Sequence, residues 1–139
     1  MRCAAIKAAV VSKDENDRSG RIFLNYGHTF GHALEAAGGY SKLSHGEAIS
    51  VGMMFAAHLA NSIGLLDEQS VRIHSSSLQA AGLPLTAIFD PNEISFHWLM
   101  DKKNEGLQRW VLLEGVGNPV VRSDIGEEQL HRAAARVLG

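Results

Sequence analysis

Residues 21–37 read RIFLNYGHTFGHALEAA, and this stretch decides both the fold class and the candidate chemistry of the chain. Its apolar residues recur at helical spacing and Gly38 and Gly39 follow as stop signals, so the pattern predicts one helix over these residues. Two histidines, His28 and His32, lie four positions apart. Four residues advance a helix by roughly 400°, so both imidazoles project from nearly the same face. The stretch therefore predicts a helix that presents two imidazoles to one site.

A third histidine stands at the start of the next apolar segment. Residues 46–63 (GEAISVGMMFAAHLANSI) carry apolar side chains on nearly all sides, which predicts a central, buried helix. His45 precedes this helix, and the short loop before it allows the helix start to fold back against the first two histidines. Imidazoles with Glu35 and Glu47 nearby suit Zn²⁺, Co²⁺ or Fe²⁺. The spacing alone also permits the alternative that these histidines only cap helices and border the core.

The rest of the chain predicts more helices and one hairpin. Asp67 is a candidate helix cap, and Asp90 with Pro91 and Glu93 forms a capping-box pattern. Of the four other histidines, His58 is expected to be a packed core residue, and His74, His97 and His131 are expected to be solvated. We therefore predict a mostly α domain with one small β-hairpin. The predicted helices cover residues 1–13, 68–81, 91–103 and 126–138, and the predicted strands cover residues 108–113 and 119–122.

Composition excludes several classes of function. The chain has 139 residues, of which 45% are hydrophobic and 20% charged, as expected for one globular domain. The net charge of -2 offers no basic field for a nucleic acid. A single cysteine, Cys3, excludes an internal disulfide framework and fits a reducing cytoplasm. No signal peptide or membrane span is evident, so we expect a cytoplasmic protein without a membrane partner.

The glycines do not form a nucleotide site. The sequence contains neither a GxGxxG motif after a strand nor a GxxxxGK[ST] motif, so no cofactor-binding residue for a dinucleotide is predicted in this chain. Gly27 and Gly31 are instead expected to let another backbone or a ligand approach closely.

Several short motifs occur in a distinctive order. They are IKAAVV at 6–11, DE at 14–15, GR at 20–21, LNYGHTFGHALE at 24–35, HGEA at 45–48, GM at 52–53, DKK at 101–103 and RWVLL at 109–113. Their order and spacing resemble the C-terminal domain of the 3-dehydroquinate synthase family over essentially the whole chain. The resemblance implies the helical C-terminal domain of the dehydroquinate synthase-like fold over residues 1–139, without the N-terminal α/β domain that binds NAD in this family.

The resemblance also implies a reaction. Enzymes of the family convert 3-deoxy-arabino-heptulosonate 7-phosphate to 3-dehydroquinate and phosphate in the shikimate pathway of aromatic amino-acid biosynthesis. An alcohol is transiently oxidised by NAD⁺, phosphate is eliminated, the carbonyl is reduced again, and the ring opens and closes by an intramolecular aldol step. The full enzyme is expected to be a homodimer, and this chain alone is expected to fold without catalysing the reaction.

Metal ligands follow from the resemblance position by position. His28 and His45 match the two histidine ligands of a divalent metal, zinc or cobalt. The third ligand of the family is a glutamate in the N-terminal domain, and no residue of this chain matches it. The family pattern gives no warrant for using Glu47 instead.

Substrate contacts follow in the same way. Lys7 and Arg21 match basic residues that hold the substrate carboxylate, while Asn25 and His32 match substrate-contacting residues, His32 near the phosphate. Lys7, Asn25 and His32 are also the candidate catalytic residues. Lys103 matches a phosphate-contacting lysine, with Lys102 as the alternative because the segment is one residue shorter than usual, and Asp17 stands where the family commonly has glutamate.

Other functions remain open at this point. The chain could belong to another sugar-phosphate cyclase, although Asn25 and His32 favour dehydroquinate synthase. An iron-type alcohol or glycerol dehydrogenase would not need the basic residues at positions 7, 21 and 103. A non-catalytic helical remnant is the alternative from a different class. We also expect an uncovered apolar face, with self-association or marginal solubility, because a domain of this kind normally packs on a partner domain.

Overall fold

The computed structural model describes residues 2–13, 20–39, 41–90, 94 and 108–139. These residues form five α-helices, one 3-10 helix and one antiparallel hairpin, which confirms the predicted mostly α fold class. In chain order the elements are α1 (Arg2–Lys13), the 3-10 helix (Gly20–Asn25), α2 (His28–Ala37), α3 (His45–Ser62), α4 (Glu68–Ala80), β1 (Trp110–Leu113), β2 (Pro119–Arg122) and α5 (Glu127–Ala134). No helix among these residues combines the length and apolar character needed to span a bilayer.

Helix α3 lies at the centre, as its apolar sequence predicts. Helices α2, α4 and α5 and strand β1 all pack against it. Phe30 of α2 stacks on Phe55 of α3 with ring centroids 4.0 Å apart, and the ring centroids of Phe55 and Trp110 of β1 are 5.6 Å apart. These aromatic rings are almost fully buried, so they join the two central helices to the hairpin in one core.

Glycines allow α2 and α3 to approach closely. A Cβ atom at Gly52 of α3 would lie 2.0 Å from the Gly27 carbonyl oxygen, and one at Gly31 would lie 3.1 Å from the Ala48 carbonyl oxygen. Neither position has room for a side chain. The expectation that Gly27 and Gly31 admit another backbone is therefore confirmed.

The same contact explains why the prediction of one helix over residues 21–37 is wrong. The 3-10 helix ends at Asn25, and Gly27 adopts a left-handed conformation with φ of 79° before α2 begins at His28. Left-handed φ values are accessible to glycine at little cost. The chain turns here because the Gly27 backbone packs directly on α3.

Local signals elsewhere gave correct boundaries at some elements and not at others. Asp67 caps α4 by accepting a 2.7 Å hydrogen bond from the Ser70 backbone N–H, as predicted. The hairpin is also confirmed. Helix α5 ends earlier than predicted because the residues after it pair with Ala87, whose N–H donates to the Val137 carbonyl at 2.8 Å. The predicted helix over residues 91–103 lies outside the described residues, apart from Ile94, which is buried.

Helix α1 is much less covered than the rest. It packs against the 3-10 helix, and most of its residues are exposed. Ile6 keeps 63% of its surface accessible. This helix therefore presents an uncovered face with an apolar residue, as expected for a part of the domain that packs on something else.

Candidate metal and substrate site

Three histidines meet where α2 and α3 begin. His28 is the first residue of α2, His32 lies one turn further, and His45 is the first residue of α3. The ring centroids are 5.6 Å apart for His28 and His32, and 5.7 Å apart for each of the other two pairs. The predicted folding of the α3 start against the histidine face of α2 is confirmed.

Each of the three rings has its Nδ1 atom facing an oxygen. Nδ1 of His28 lies 3.2 Å from the Tyr26 carbonyl oxygen. The Nδ1 atoms of His32 and His45 lie 2.8 and 3.0 Å from the two carboxylate oxygens of Glu35. Carbonyl and carboxylate oxygens only accept hydrogen bonds, so each Nδ1 carries the donated proton in the neutral ring. The lone pair of each ring is then on Nε2.

This arrangement fits a divalent metal. Histidines that bind metals commonly donate the other ring N–H to a carboxylate or backbone carbonyl, which fixes the tautomer and ring orientation. Ligand atoms of His32, Glu35 and His45 also lie within 4.8 Å of one another. The side chains of His32 and His45 are 51% and 59% exposed, which leaves them accessible to an ion and a substrate. Nitrogen donors of this kind suit zinc or cobalt.

Glu35 is the largely covered member of the cluster, with a side chain only 10% exposed. Burial pushes its pKa upward, but the hydrogen bonds and positive charge of His32 and His45 outweigh that effect and hold the pKa of Glu35 below its usual value. The carboxylate therefore stays ionised between the two rings. The sequence indicated only that Glu35 is near the histidines. The spacing of three residues from His32 was the signal for one of its contacts, whereas the contact with His45 depends on the tertiary fold.

Glu47 has a different task. The Ser44 backbone N–H donates to a Glu47 carboxylate oxygen at 2.8 Å, and the Glu47 backbone N–H donates to Ser44 Oγ at 3.4 Å. These side-chain and backbone hydrogen bonds with Ser44 lower the pKa of Glu47. They form a capping box that fixes the first turn of α3, on which His45 lies. The hydrogen bonds of Glu47 thus give it a structural role at the start of α3. The box was visible as Ser44 and Glu47 at the required spacing but was not predicted.

The expected substrate residues are less closely assembled. Lys7 lies on the exposed helix α1, and Asn25 is the exposed last residue of the 3-10 helix, beside a small cleft that Thr29 and Trp110 also line. Arg21 belongs to the same 3-10 helix. Among the described residues, no hydrogen bond joins Lys7 or Asn25 to the histidines. The expectations for Asp17, Lys102 and Lys103 lie outside the described residues.

A hydrogen-bonded pair supports the Tyr26 backbone. His74 Nδ1 donates to the Ser70 carbonyl at 2.8 Å, so its Nε2 accepts from the Tyr26 hydroxyl at 3.1 Å. The expectation that His74 is solvated is therefore wrong. Burial raises the pKa of Tyr26, which keeps its hydroxyl protonated as a donor. Both residues border an open apolar pocket of about 480 Å³, which residues of the 3-10 helix, α3, α4 and the hairpin line. Because the Tyr26 carbonyl holds His28, this pair supports one side of the histidine cluster.

The sequence matches one family closely. A family model described as "3-dehydroquinate synthase C-terminal" matches residues 1–104. A 3-dehydroquinate synthase from Shewanella halifaxensis (strain HAW-EB4) is 46% identical over 132 residues, covering 93% of this chain and 37% of that protein. A 3-dehydroquinate synthase from Campylobacter fetus subsp. fetus (strain 82-40) is 38% identical over 131 residues, covering 93% and 38%. The chain thus spans between 37% and 38% of the length of these relatives.

Solved structures share the fold. The 2-epi-5-epi-valiolone synthase from Streptomyces hygroscopicus subsp. jinggangensis 5008, solved with NAD⁺ and Zn²⁺ bound, is similar with a TM-score of 0.71 and 27% identity. The match covers 81% of this chain and 32% of that one. A 2-deoxy-scyllo-inosose synthase complexed with carbaglucose-6-phosphate, NAD⁺ and Co²⁺ has a TM-score of 0.62 and 35% identity, covering 81% and 34%. Both neighbours therefore carry NAD⁺ and a divalent metal.

Proposed function

The chain belongs to the 3-dehydroquinate synthase family, and we propose that it is the metal- and substrate-binding C-terminal domain of such an enzyme. The proposal assigns residues 1–139 to one helical domain. It also requires an N-terminal domain that binds NAD and completes the active site. The relatives are more than twice as long as this chain, which leaves room for that domain.

The convergence of His28, His32 and His45 is the observation that carries the proposal. Each ring has Nε2 as its free ligand atom, because an oxygen accepts a hydrogen bond from each Nδ1–H. We assign His28 and His45 as metal ligands and His32 as a substrate contact near the phosphate. The ion is zinc or cobalt, the two metals present in the solved neighbours. When bound, it supplies Lewis-acid activation of a substrate hydroxyl and carbonyl.

The basic residues suit a substrate with two anionic ends. The proposed substrate is 3-deoxy-arabino-heptulosonate 7-phosphate, which carries a carboxylate and a phosphate. Lys7 and Arg21 bind the carboxylate, since a guanidinium can pair with both carboxylate oxygens. Lys103 binds the phosphate, and Asn25 donates or accepts hydrogen bonds at the substrate hydroxyls. These residues hold and orient the substrate so that each step of the reaction proceeds from a fixed geometry.

The exposure of α1 supports the expectation that this chain alone does not catalyse. Lys7 lies on a helix that is mostly uncovered, so it is less firmly placed than the histidines, which the contact between α2 and α3 holds. The glutamate that the family uses as a third ligand and the NAD site both belong to the N-terminal domain. A homodimeric full enzyme, a role in the shikimate pathway and a cytoplasmic location stay predictions.

Reconstitution tests the proposal. The N-terminal remainder of the Shewanella halifaxensis relative, fused ahead of residue 1, should give an enzyme that releases phosphate from the heptulosonate phosphate in the presence of NAD⁺ and Co²⁺. The unfused chain should release none under the same conditions. Fusions with His45→Ala or Lys7→Ala should lose most of the activity, and a Gly46→Ala fusion serves as the neutral control. Turnover by the unfused chain, or full activity of the His45→Ala fusion, would contradict the proposal.

A second candidate function is another sugar-phosphate cyclase. The 35% identity to a 2-deoxy-scyllo-inosose synthase favours it, since that enzyme was solved with a carbocyclic analogue of glucose 6-phosphate. Such a substrate lacks a carboxylate, so it would not need Lys7 and Arg21. Offering glucose 6-phosphate and the heptulosonate phosphate to the same fusion separates the two. Release of phosphate from glucose 6-phosphate alone would replace the first proposal by the second.

A further inference from the structure

Glu35 is the only carboxylate among the described residues that contacts two histidines of the cluster. It lies on α2, and its two oxygens accept from Nδ1 of His32 on the same helix and Nδ1 of His45 on α3. The distances of 2.8 and 3.0 Å lie within the ordinary range of N–H···O hydrogen bonds. One side chain therefore links the ring orientations on two different helices.

We propose that Glu35 is a positioning residue, which holds His32 and His45 as Nδ1–H tautomers and so leaves Nε2 of each ring as the atom that meets a metal or substrate. A role at a metal rests on the proposed function, whereas the tautomer assignment rests on the hydrogen bonds alone. A carboxylate has two equivalent acceptor oxygens, one for each imidazole N–H. A glutamine has one oxygen, and its NH₂ group would force the opposite tautomer on the second ring.

The covered position of Glu35 suits this task. With its side chain 10% exposed, the carboxylate has few water molecules to compete for its lone pairs, so the two imidazole N–H groups are its main donors. A carboxylate behind a histidine ligand fixes the ring and makes the opposite nitrogen more basic. The two ring nitrogens point in different directions, so binding of Nδ1 to Glu35 does not compete with binding of Nε2 to an ion.

The alternative role for Glu35 is direct metal coordination. Its oxygens lie within 4.8 Å of ligand atoms of His32 and His45, so proximity alone allows it. Both oxygens, however, already accept a hydrogen bond from a histidine Nδ1–H. If Glu35 coordinated a metal through these two oxygens, Nδ1 of each ring would lose its hydrogen bond to the carboxylate. The hydrogen bonds therefore favour a positioning role.

Histidine tautomers in the metal-free chain test the inference directly. Long-range ¹H–¹⁵N correlation spectra of the full chain, recorded about two pH units above the ordinary histidine pKa of about 6.5, should show Nδ1–H tautomers for His28, His32 and His45. In Glu35→Ala, His32 and His45 should shift to the Nε2–H tautomer that histidine prefers in water. His28 should not change, because the Tyr26 carbonyl holds it. In Glu35→Gln, at least one of the two rings should shift.

Glu47→Gln is the matched control. It removes a neighbouring carboxylate charge that belongs to the capping box, and glutamine preserves such a box. All three tautomers should remain as in the wild type. Retention of Nδ1–H at both His32 and His45 in folded Glu35→Ala would overturn the inference. If that variant does not fold, as judged by circular dichroism, the Glu35→Gln spectra decide the question alone.

Cobalt binding separates positioning from coordination. Titration of the full chain with Co²⁺, followed by its visible absorption, should show affinity about 10 to 100-fold weaker for Glu35→Ala, the usual effect of removing a partner of a metal-binding histidine. A loss as complete as that of His45→Ala, with an altered cobalt spectrum for Glu35→Gln, would instead make Glu35 a ligand and overturn the inference.

The two proposals can fail separately. If the Glu35 variants keep the wild-type tautomers and the fusion is active, the role of Glu35 is rejected and the enzyme assignment stands. If the tautomers shift in the Glu35 variants and the fusion has no activity, the role of Glu35 in orienting the rings stands and the enzyme assignment is rejected.

Discussion

Helix α1 and the α2–α3 pair both carry predicted site residues, but the protein fixes them in very different ways. The α2–α3 pair is joined by a backbone contact at Gly27 and Gly52 and by the stacked rings of Phe30 and Phe55. Helix α1 is mostly exposed and packs against the 3-10 helix. The histidine part of the site is therefore built by the chain itself, whereas the position of Lys7 depends on what covers α1.

The largest expected effect is at the α2–α3 contact. Gly52→Ala should destabilise the chain by at least about 3 kcal/mol, because its Cβ would lie 2.0 Å from the Gly27 carbonyl oxygen and backbone atoms cannot move aside as a side chain can. Urea unfolding measures the change in free energy. Gly46→Ala on the same helix is the control, since its Cβ would meet no atom within 4 Å. It should be neutral or stabilising by up to about 1 kcal/mol. Equal stabilities of the two variants would contradict the close contact.

A smaller effect is expected at the start of α3. Ser44→Ala removes the capping box and should reduce the free energy of unfolding by about 1 kcal/mol. Ser12→Ala on α1 also removes a serine hydroxyl, which donates to the Ala9 carbonyl at 3.1 Å in an exposed turn. It should change stability by less than about 0.5 kcal/mol. A larger loss for Ser12→Ala than for Ser44→Ala would show that α1 is the better fixed of the two regions.

These contacts also show how far the sequence predicts the structure. Features that depend on neighbouring residues, such as the Asp67 cap and the hairpin, were predicted correctly. The break at Gly27 was missed because helical periodicity continues through it and the turn is set by packing on α3. The hydrogen bond of His74 was missed for the same reason, since its partner Tyr26 is 48 residues away.

The contacts of the candidate site likewise differ in whether neighbouring residues or tertiary packing determine them. The spacing of His28 and His32 on one helix face was sufficient to predict that they meet. The approach of His45 required only a short loop and a helix start, and it was predicted as a permitted geometry. The two hydrogen bonds that Glu35 accepts were not both predicted, because the one from His45 joins two helices and no local sequence pattern encodes it.

The smallest expected effect concerns His58 on the buried helix α3. Burial lowers the pKa of His58 and the nearby Arg136 lowers it further, while Glu68 acts in the opposite direction. The folded state thus binds this proton less readily than the unfolded state. Its contribution to stability is complete above the ordinary histidine pKa of about 6.5 and is lost as pH falls through the folded-state value.

His58→Gln removes this titration. The variant should therefore lose less stability than the wild type as the pH is lowered from 7 through the ordinary histidine pKa of about 6.5 and below. Urea unfolding at a series of pH values measures the difference between the two chains. Two parallel curves over the whole range would show that the surroundings of His58 do not disfavour its charged form.

The most direct test of the difference between the two regions is a Co²⁺ titration of the unfused chain. If α2 and α3 preassemble the histidine part of the site, the wild type should bind one Co²⁺ with a visible absorption spectrum. His28→Ala and His45→Ala should each lose that binding, and Lys7→Ala on α1 should bind as the wild type does. Equal cobalt affinity for the wild type, His28→Ala and His45→Ala would contradict the preassembly of a histidine metal site by α2 and α3.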